Sequence, residues 1–543
     1  MKQENTAMPA LAGHAATMLC SLAGTQDELL RKAVTQLLEV LEGGGTCITL
    51  DELGEAIDVS ARLGALSVVG QPGQERPLII DGPRLYLHRY HGYETRLAAQ
   101  LLRLAAAPAQ VPDAARGDAR RLLSQGLGVV TGGPGTGKTT FAATLLELLA
   151  GGTARPLSAA LMAPTGKAAA RLLESISVMA DRFPNLQISH GTVHRMLGPR
   201  PGSVFFRHGA ARPLPFDVAV LDEASMMDLP LMAKLLDAID PERTRLLMLG
   251  DPGQLPSIHS GCALADIVDA AQRPGPMATC FLRLTKNHRA AERPELAALI
   301  DSVREGDARR CLALIREGGC IAMSNPPPPD QMPDFVEREI LPGIEKLCAA
   351  QSPEEALDAA SDYRLVCMLR QGPCGADAVN RLALELARRR RYCGRDERFF
   401  HGMPIIVTRN EHKMNLFNGD SGVVLREDGR LRAFFPGVDK PRGVSIQNLP
   451  PVEAAFALTV HRGQGSEYRN VGILLPGADH PMLTRELFYT AVSRARNSIA
   501  IMGTADLISR ALSRQEKRAS GLAARLVSRN NDILALNRCR SSR

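Results

Sequence analysis

Gly132-Gly133-Pro134-Gly135-Thr136-Gly137-Lys138-Thr139, followed by Thr140, fits G-x-x-x-x-G-K-[ST], the phosphate-binding P-loop. The glycines let backbone N–H groups turn inward around an anion. Lys138 supplies a cation to the β- and γ-phosphates, and Thr139 offers a hydroxyl to Mg²⁺. The flanks agree. Residues 127–131 read as a short buried strand, and 141–150 as the helix whose N-terminal dipole faces the anion. A strand, loop and helix in this order imply an α/β fold built on a parallel sheet.

Further along, apolar residues 216–221 lead into Asp222-Glu223, and 245–249 lead into Gly250-Asp251. A carboxylate at the C-terminal end of a central parallel strand lies beside the P-loop. There Asp222 can hold Mg²⁺, and Glu223 can orient or deprotonate the attacking water. Gln254, just past the next strand, is an uncharged amide able to sense the γ-phosphate without neutralising it. Three more segments complete an ordered set: Ala163-Pro164-Thr165-Gly166-Lys167, Val460-His461-Arg462-Gly463-Gln464-Gly465 and Tyr489-Thr490-Ala491-Val492-Ser493-Arg494-Ala495-Arg496. The last two belong to what should be a separate domain. A nucleotide held between two domains can move one against the other, which simple phosphate transfer does not require.

Bulk properties fit a soluble motor of several domains. The chain has 543 residues and a net charge of +7, with a pI of about 8.9; this mild basicity is compatible with nucleic acid. No stretch approaches the roughly eighteen apolar residues of a membrane span, and residues 1–5 do not resemble a signal peptide. The 11 cysteines include no C-x-x-C pair, so neither zinc nor an iron–sulfur cluster is implied, and they read as reduced thiols in a bacterial-type cytoplasm. No cluster of spaced carboxylates suggests a nuclease.

Leu- and Ala-rich residues 1–110 carry no nucleotide motif and read as a mainly helical docking domain. The Pro- and Ala-rich residues 106–112 read as a hinge. A first motor domain is expected over 111–319 and a connecting segment with a stiff four-proline stretch over 320–362. A second motor is expected over 363–514 and a basic, polar, partly disordered tail over 515–543. Short strands at 404–408, 422–425 and 431–435, with the turn signal Asn418-Gly419, indicate a β-barrel insertion at about 400–450. A motor cut at residue 111 is expected to keep its ATPase and lose its partner. The arginine run 388–391 ends a helical pattern and reads as a solvated face.

The ordered set resembles the superfamily 1 DNA helicases and, within them, the RecD (alpha) subunits of exodeoxyribonuclease V, the RecBCD complex. Thr192-Val193-His194-Arg195-Met196-Leu197-Gly198, the box Asp222–Leu229 and the turn Asn418-Gly419-Asp420 are the more selective matches. The resemblance implies two RecA-like P-loop motors, an SH3-like barrel insertion in the second and 5′-to-3′ translocation driven by ATP and Mg²⁺. It also implies RecB-like and RecC-like partners, single-stranded DNA and duplex ends as substrate, and a nuclease in another subunit. Larger stand-alone relatives carry an N-terminal extension for which this chain has no room, which favours a subunit. By family position Arg289 and Arg494 reach the γ-phosphate, and Thr165, His194, Thr459 and His461 donate to DNA. Two departures stand out: Arg462-Gly463 replaces the family's Lys-Ser, and Ala115 occupies the place of a base-reading glutamine. With no tryptophan and 4% aromatics, the chain lacks the composition of a stacking-rich DNA track. The competing classes are a stand-alone helicase, a regulatory ATPase switch and a structural subunit. The last is disfavoured by a complete set of motor residues.

Overall fold

The computed structural model describes residues 4–527 apart from 181–182, 201, 258, 288–292, 395–396, 412–413, 438–439 and 517. The N-terminal unit contains helices α1 (Glu4–Ala23), α2 (Glu28–Glu42), α3 (Ala56–Gly64) and α4 (His88–Ala106). Between them lie strands β1 (Cys47–Thr49), β2 (Val69–Gly70), β3 (Leu78–Asp81) and β4 (Arg84–Leu87), in the order β1-β4-β3-β2. Asp27 starts α2 by accepting from the backbone N–H of Leu29 and Leu30. Leu30, Ala33, Val34 and Leu37 recur at helical spacing and are fully buried against the small sheet.

The first motor is a six-stranded parallel sheet in the order β10-β5-β9-β8-β6-β7. Its strands are β5 (Leu127–Gly132), β6 (Leu157–Ala163), β7 (Leu186–Thr192), β8 (Val218–Leu221), β9 (Arg245–Gly250) and β10 (Phe281–Leu284). Around them run α5 (Gly117–Leu123), α6 (Lys138–Gly151), α7 (Gly166–Ala180), α8 (Val193–Leu197), α9 (Leu229–Asp237) and α10 (Ala263–Ala271). Strands β5 and β8 are buried along their whole length, as apolar runs sandwiched between helices must be.

The second motor begins earlier than expected. Helices α11 (Pro294–Glu305) and α12 (Ala308–Glu317) bury Leu299, Val303 and Cys311 in the same core as Ile473, Phe488 and Ile501. Strand β11 (Ile321–Ser324) is the edge of a five-stranded parallel sheet in the order β11-β20-β19-β12-β18. The boundary placed at residue 319 is therefore corrected to a point after β10. The connecting segment is not a linker either, since α13 (Met332–Ala349) and α14 (Pro353–Asp362) fold onto β12 (Tyr363–Cys367). Next come α15 (Ala376–Arg389) and the insertion: β13 (Met403–Val407), β14 (Ser421–Glu427), β15 (Arg430–Phe435), β16 (Arg442–Ser445) and β17 (Val452–Ala454). These five strands pair antiparallel in the order β16-β15-β14-β13-β17. No ladder among the described residues joins β16 to β17: where a barrel is expected, the described strands pair as a five-stranded antiparallel sheet. The motor continues with β18 (Ala457–Thr459), β19 (Tyr468–Leu474), α16 (Arg485–Val492), β20 (Ala495–Met502) and α17 (Ala505–Ser513).

Residues after 514 do not trail away at once. Arg518 Nη1 donates to the carbonyls of Ser257 (2.8 Å) and His259 (3.0 Å) in the first motor. Thr46 N donates to Ala519 O at 2.8 Å. The final described helix, α18 (Leu522–Val527), buries Leu522 and Leu526 beside α4 and α10. Arg525 pairs with Asp81 (2.6 Å) and with the fully buried Glu94 (3.4 Å). The segment read as a tail is thus, over 515–527, a strap from the second motor to the other two units. Residues 528–543 lie outside the described part.

Helix α4 also changes its assignment. Leu97, Leu101 and Leu104 are fully buried in the core that holds Leu221, Leu235 and Met248 of the first motor. Each such side chain contributes roughly 1.5–3 kcal/mol on burial. A chain starting at residue 111 is therefore expected to lose cooperative thermal unfolding and to aggregate. A soluble, cooperatively melting 111–543 fragment would show that α4 is dispensable. No helix among the described residues is long and apolar enough to cross a membrane.

Candidate nucleotide and DNA site

Strand β5 ends at the P-loop and α6 begins at Lys138, as the sequence pattern requires. Gly135 and Gly137 have φ of +75° and +79°, a region that glycine enters without strain. A Cβ on Gly132 would overlap the Thr136 hydroxyl, which donates to Gly133 O at 2.8 Å. Lys138 Nζ donates to the carbonyls of Gly132 (2.7 Å) and Gly133 (3.1 Å), which holds the ammonium over the loop. Residues 134–140 line a cleft of about 470 Å³, shared with Asp222, Glu223, Gln254, Gly465 and Arg494. That volume is typical of a small-molecule site.

Strand β8 delivers Asp222 and Glu223 to this cleft. Burial and the adjacent Glu223 charge push the Asp222 carboxyl up to about 6, while Lys138 and the Thr139 hydroxyl act in the opposite direction. Glu223 sits at φ +51°, a left-handed conformation costing about 1–3 kcal/mol in a non-glycine residue. This geometry turns the chain sharply at the strand end, and Glu223 N donates to Asp222 Oδ1 at 2.8 Å. Two crowded carboxylates beside a threonine hydroxyl form a hard oxygen donor set that suits Mg²⁺. Ala115 is fully buried among Leu122, Leu149 and other apolar side chains, so no polar group reads a base from that position.

The opposite wall comes from the second motor. Arg494 is 3% exposed and donates to Thr490 O (2.9 Å), Ser466 O (3.1 Å), Ser493 Oγ (3.0 Å) and Gln254 Oε1 (3.2 Å). The contact with Gln254 crosses from one motor to the other. Others run parallel to it: Leu255 N to Thr490 Oγ1 at 2.9 Å, Gln464 Nε2 to Leu255 O at 3.2 Å, and Lys167 Nζ to Ser466 Oγ at 2.6 Å. Lys138, Thr139, Asp222, Glu223, Gln254 and Arg494 therefore share one cleft. Arg289 lies outside the described residues.

The four nominated DNA donors are less uniform. Thr165 Oγ1 accepts from Ala168 N at 3.2 Å, opening α7 as a cap. Thr459 ends β18 and accepts from Arg462 N at 3.4 Å. Burial lowers the basicity of His461 and of His194, and the His194 ring packs edge-on against Phe206 at 5.8 Å within the first motor. Arg462 does not hang free at the departure from the family pattern: its guanidinium pairs with Glu453 of the insertion.

Several residues of this seam carry no motif that points to a role there. Gly166 is one: a Cβ there would overlap the ring of Phe417, which the insertion's turn carries across to the first motor. Asp420 Oδ2 fixes that turn by accepting from Phe417 N at 2.8 Å. Gly166→Val is expected to expel the ring and to destabilise the chain by about 1–3 kcal/mol, the range for overpacking. Denaturant unfolding measures this, and an unchanged midpoint would show that the contact contributes nothing. The available signal was the Gly-Lys pair following a strand, but its partner lies some 250 residues away.

Residues 116–325 match the AAA domain family, and residues 454–502 match the UvrD-like helicase C-terminal domain. The RecBCD enzyme subunit RecD of Mycolicibacterium smegmatis is 37% identical, over 94% of this chain and 96% of its own. The ATP-dependent RecD2 DNA helicase of Deinococcus radiodurans is 31% identical, over 89% of this chain and 64% of its own. Among solved structures, Bacteroides Pif1 bound to single-stranded DNA covers 77% of this chain and 94% of its own at 17% identity and a TM-score of 0.38. The near end-to-end match at 37% identity shows the family: this chain belongs to the RecD subunits of RecBCD enzymes.

Proposed function

We propose that this chain is the RecD-type, ATP-dependent DNA helicase subunit of a RecBCD enzyme, moving 5′ to 3′ along one strand of a broken duplex. Its setting is the bacterial cytoplasm, in a heterotrimer with RecB-like and RecC-like subunits that unwinds DNA ends for recombinational repair and degradation. The observation that carries the motor reading is the hydrogen bond between Gln254 and Arg494, which ties the two motors together at the nucleotide cleft.

Lys138 and the P-loop amides bind the phosphates, and Glu223 orients the attacking water and takes its proton. Thr139 and Asp222 would hold Mg²⁺, which supplies positive charge against the phosphates. Arg494 and Arg289 stabilise charge at the γ-phosphate. Because Arg494 also grips Gln254, loss of the γ-phosphate changes what both side chains face, and the motors shift. Thr165, His194, Thr459 and His461 donate to the strand, so the shift moves one pair of donors relative to the other. The α1–α3 unit docks the partner subunit.

Co-expression with RecB-like and RecC-like subunits tests this reading, with unwinding assayed on partial duplexes bearing either a 5′ or a 3′ tail. A stable heterotrimer, with the contribution of this chain confined to 5′ tails, is expected. Unwinding from 3′ tails by this chain would overturn the polarity. Failure to co-purify would favour the stand-alone helicase.

A further inference from the structure

Tyr489 lies on α16 in the second motor, yet its hydroxyl is buried against the first. It donates to Asp251 Oδ2 at 2.7 Å. A Cβ on Gly133 would come within 3.2 Å of the same hydroxyl, so the tyrosine also abuts the P-loop. Asp251 is itself 3% exposed. Its carboxylate accepts from Gly253 N at 3.0 Å and from Gln254 Nε2 at 3.4 Å. The other end of the Gln254 amide, Oε1, accepts from Arg494 at 3.2 Å. Tyr489, Asp251, Gln254 and Arg494 thus form a chain that leaves the second motor and returns to it within one turn and a half of the same segment.

An amide has one donor end and one acceptor end, and the two differ little in shape. Asp251 accepts only, so it selects the orientation in which Gln254 offers its oxygen to Arg494. In the flipped amide, NH₂ would face a guanidinium and a carbonyl would face a carboxylate, and neither contact is favourable. The Tyr489 hydroxyl anchors Asp251 at the point where this choice is made. We propose that Tyr489 is a positioning residue for the reaction: through Asp251 it fixes the orientation of Gln254, and so the grip of Arg494 on the first motor. This rests on reading Gln254 as the γ-phosphate sensor.

Tyr489→Phe keeps the ring and removes only the donor. In the full chain with saturating single-stranded DNA, it is expected to lower ATP kcat about tenfold, the effect of one lost hydrogen bond, with KM within about twofold. On a Gln254→Ala background the same substitution should lower kcat by less than about twofold, since the group it positions is gone. Asp251→Asn, which removes the carboxylate at the same point, should repeat the pattern if Tyr489→Phe folds poorly. Equal losses of kcat on both backgrounds, or an unchanged kcat in Tyr489→Phe, would overturn the proposal. Unmodified turnover in Gln254→Ala alone would instead remove the sensor reading on which it rests.

Discussion

Lys138→Gln is expected to lower ATP turnover by at least roughly 10²–10³-fold, the loss that follows removal of a preorganised group from a site of developing charge. The ammonium is held over the P-loop by the carbonyls of Gly132 and Gly133, so it occupies one defined place beside the cleft. Glutamine retains length and polarity and removes the charge, so the fold should survive. The check is DNA-dependent phosphate release by the purified variant, alongside its melting temperature. Turnover near the unmodified level would sink the assignment of the site. A large drop in melting temperature would identify a structural role instead.

Arg494→Ala should separate binding from coupling. One charge-assisted hydrogen bond is worth roughly 1.5–3 kcal/mol, so nucleotide affinity is expected to fall about tenfold to a hundredfold. Turnover should fall further, by about 10³–10⁵, the range for an arginine that stabilises transferring phosphoryl charge. The structure adds a reason for the disparity, since the same guanidinium donates to Gln254 of the other motor and to Ser466 and Thr490 of its own. Its removal leaves Gln254 Oε1 without that donor, and the cleft loses a contact between its walls. Titration with a fluorescent nucleotide gives affinity, and steady-state assays give turnover. Equal factors in both would make Arg494 an ordinary ligand contact and not a closure sensor.

What the sequence revealed follows from how each feature is encoded. The P-loop, the carboxylates after β8 and the strands β5, β9 and β12 were legible because each rests on a local pattern: a glycine spacing or an apolar run of strand length. The insertion's strands were legible for the same reason, while the order and closure of its sheet are not local properties. The boundary between the motors was misread because the apolar faces of α11 and α12 declare two helices without declaring which sheet they cover. Helix α4 was given to a docking domain on similar grounds, although Leu97 and Leu101 pack into the first motor. The strap was hidden by its charge. Arg518 and Arg525 lie in the basic, polar segment that reads as a tail, but backbone carbonyls of residues 257 and 259, and the carboxylates of Asp81 and Glu94, receive them. Such partners lie hundreds of residues away. The inter-motor seam was illegible for the same reason: motif residues were recognised singly, and only the fold shows that Tyr489 and Arg494 meet Asp251 and Gln254.

The most direct test measures ATP turnover and strand displacement in the same preparation, with and without single-stranded DNA. A motor that holds its nucleotide between two domains and tracks along DNA should turn over faster when DNA is present. It should displace a strand only with ATP, and lose both activities together in Lys138→Gln. ATP turnover indifferent to DNA, or displacement that persists in Lys138→Gln, would contradict the account.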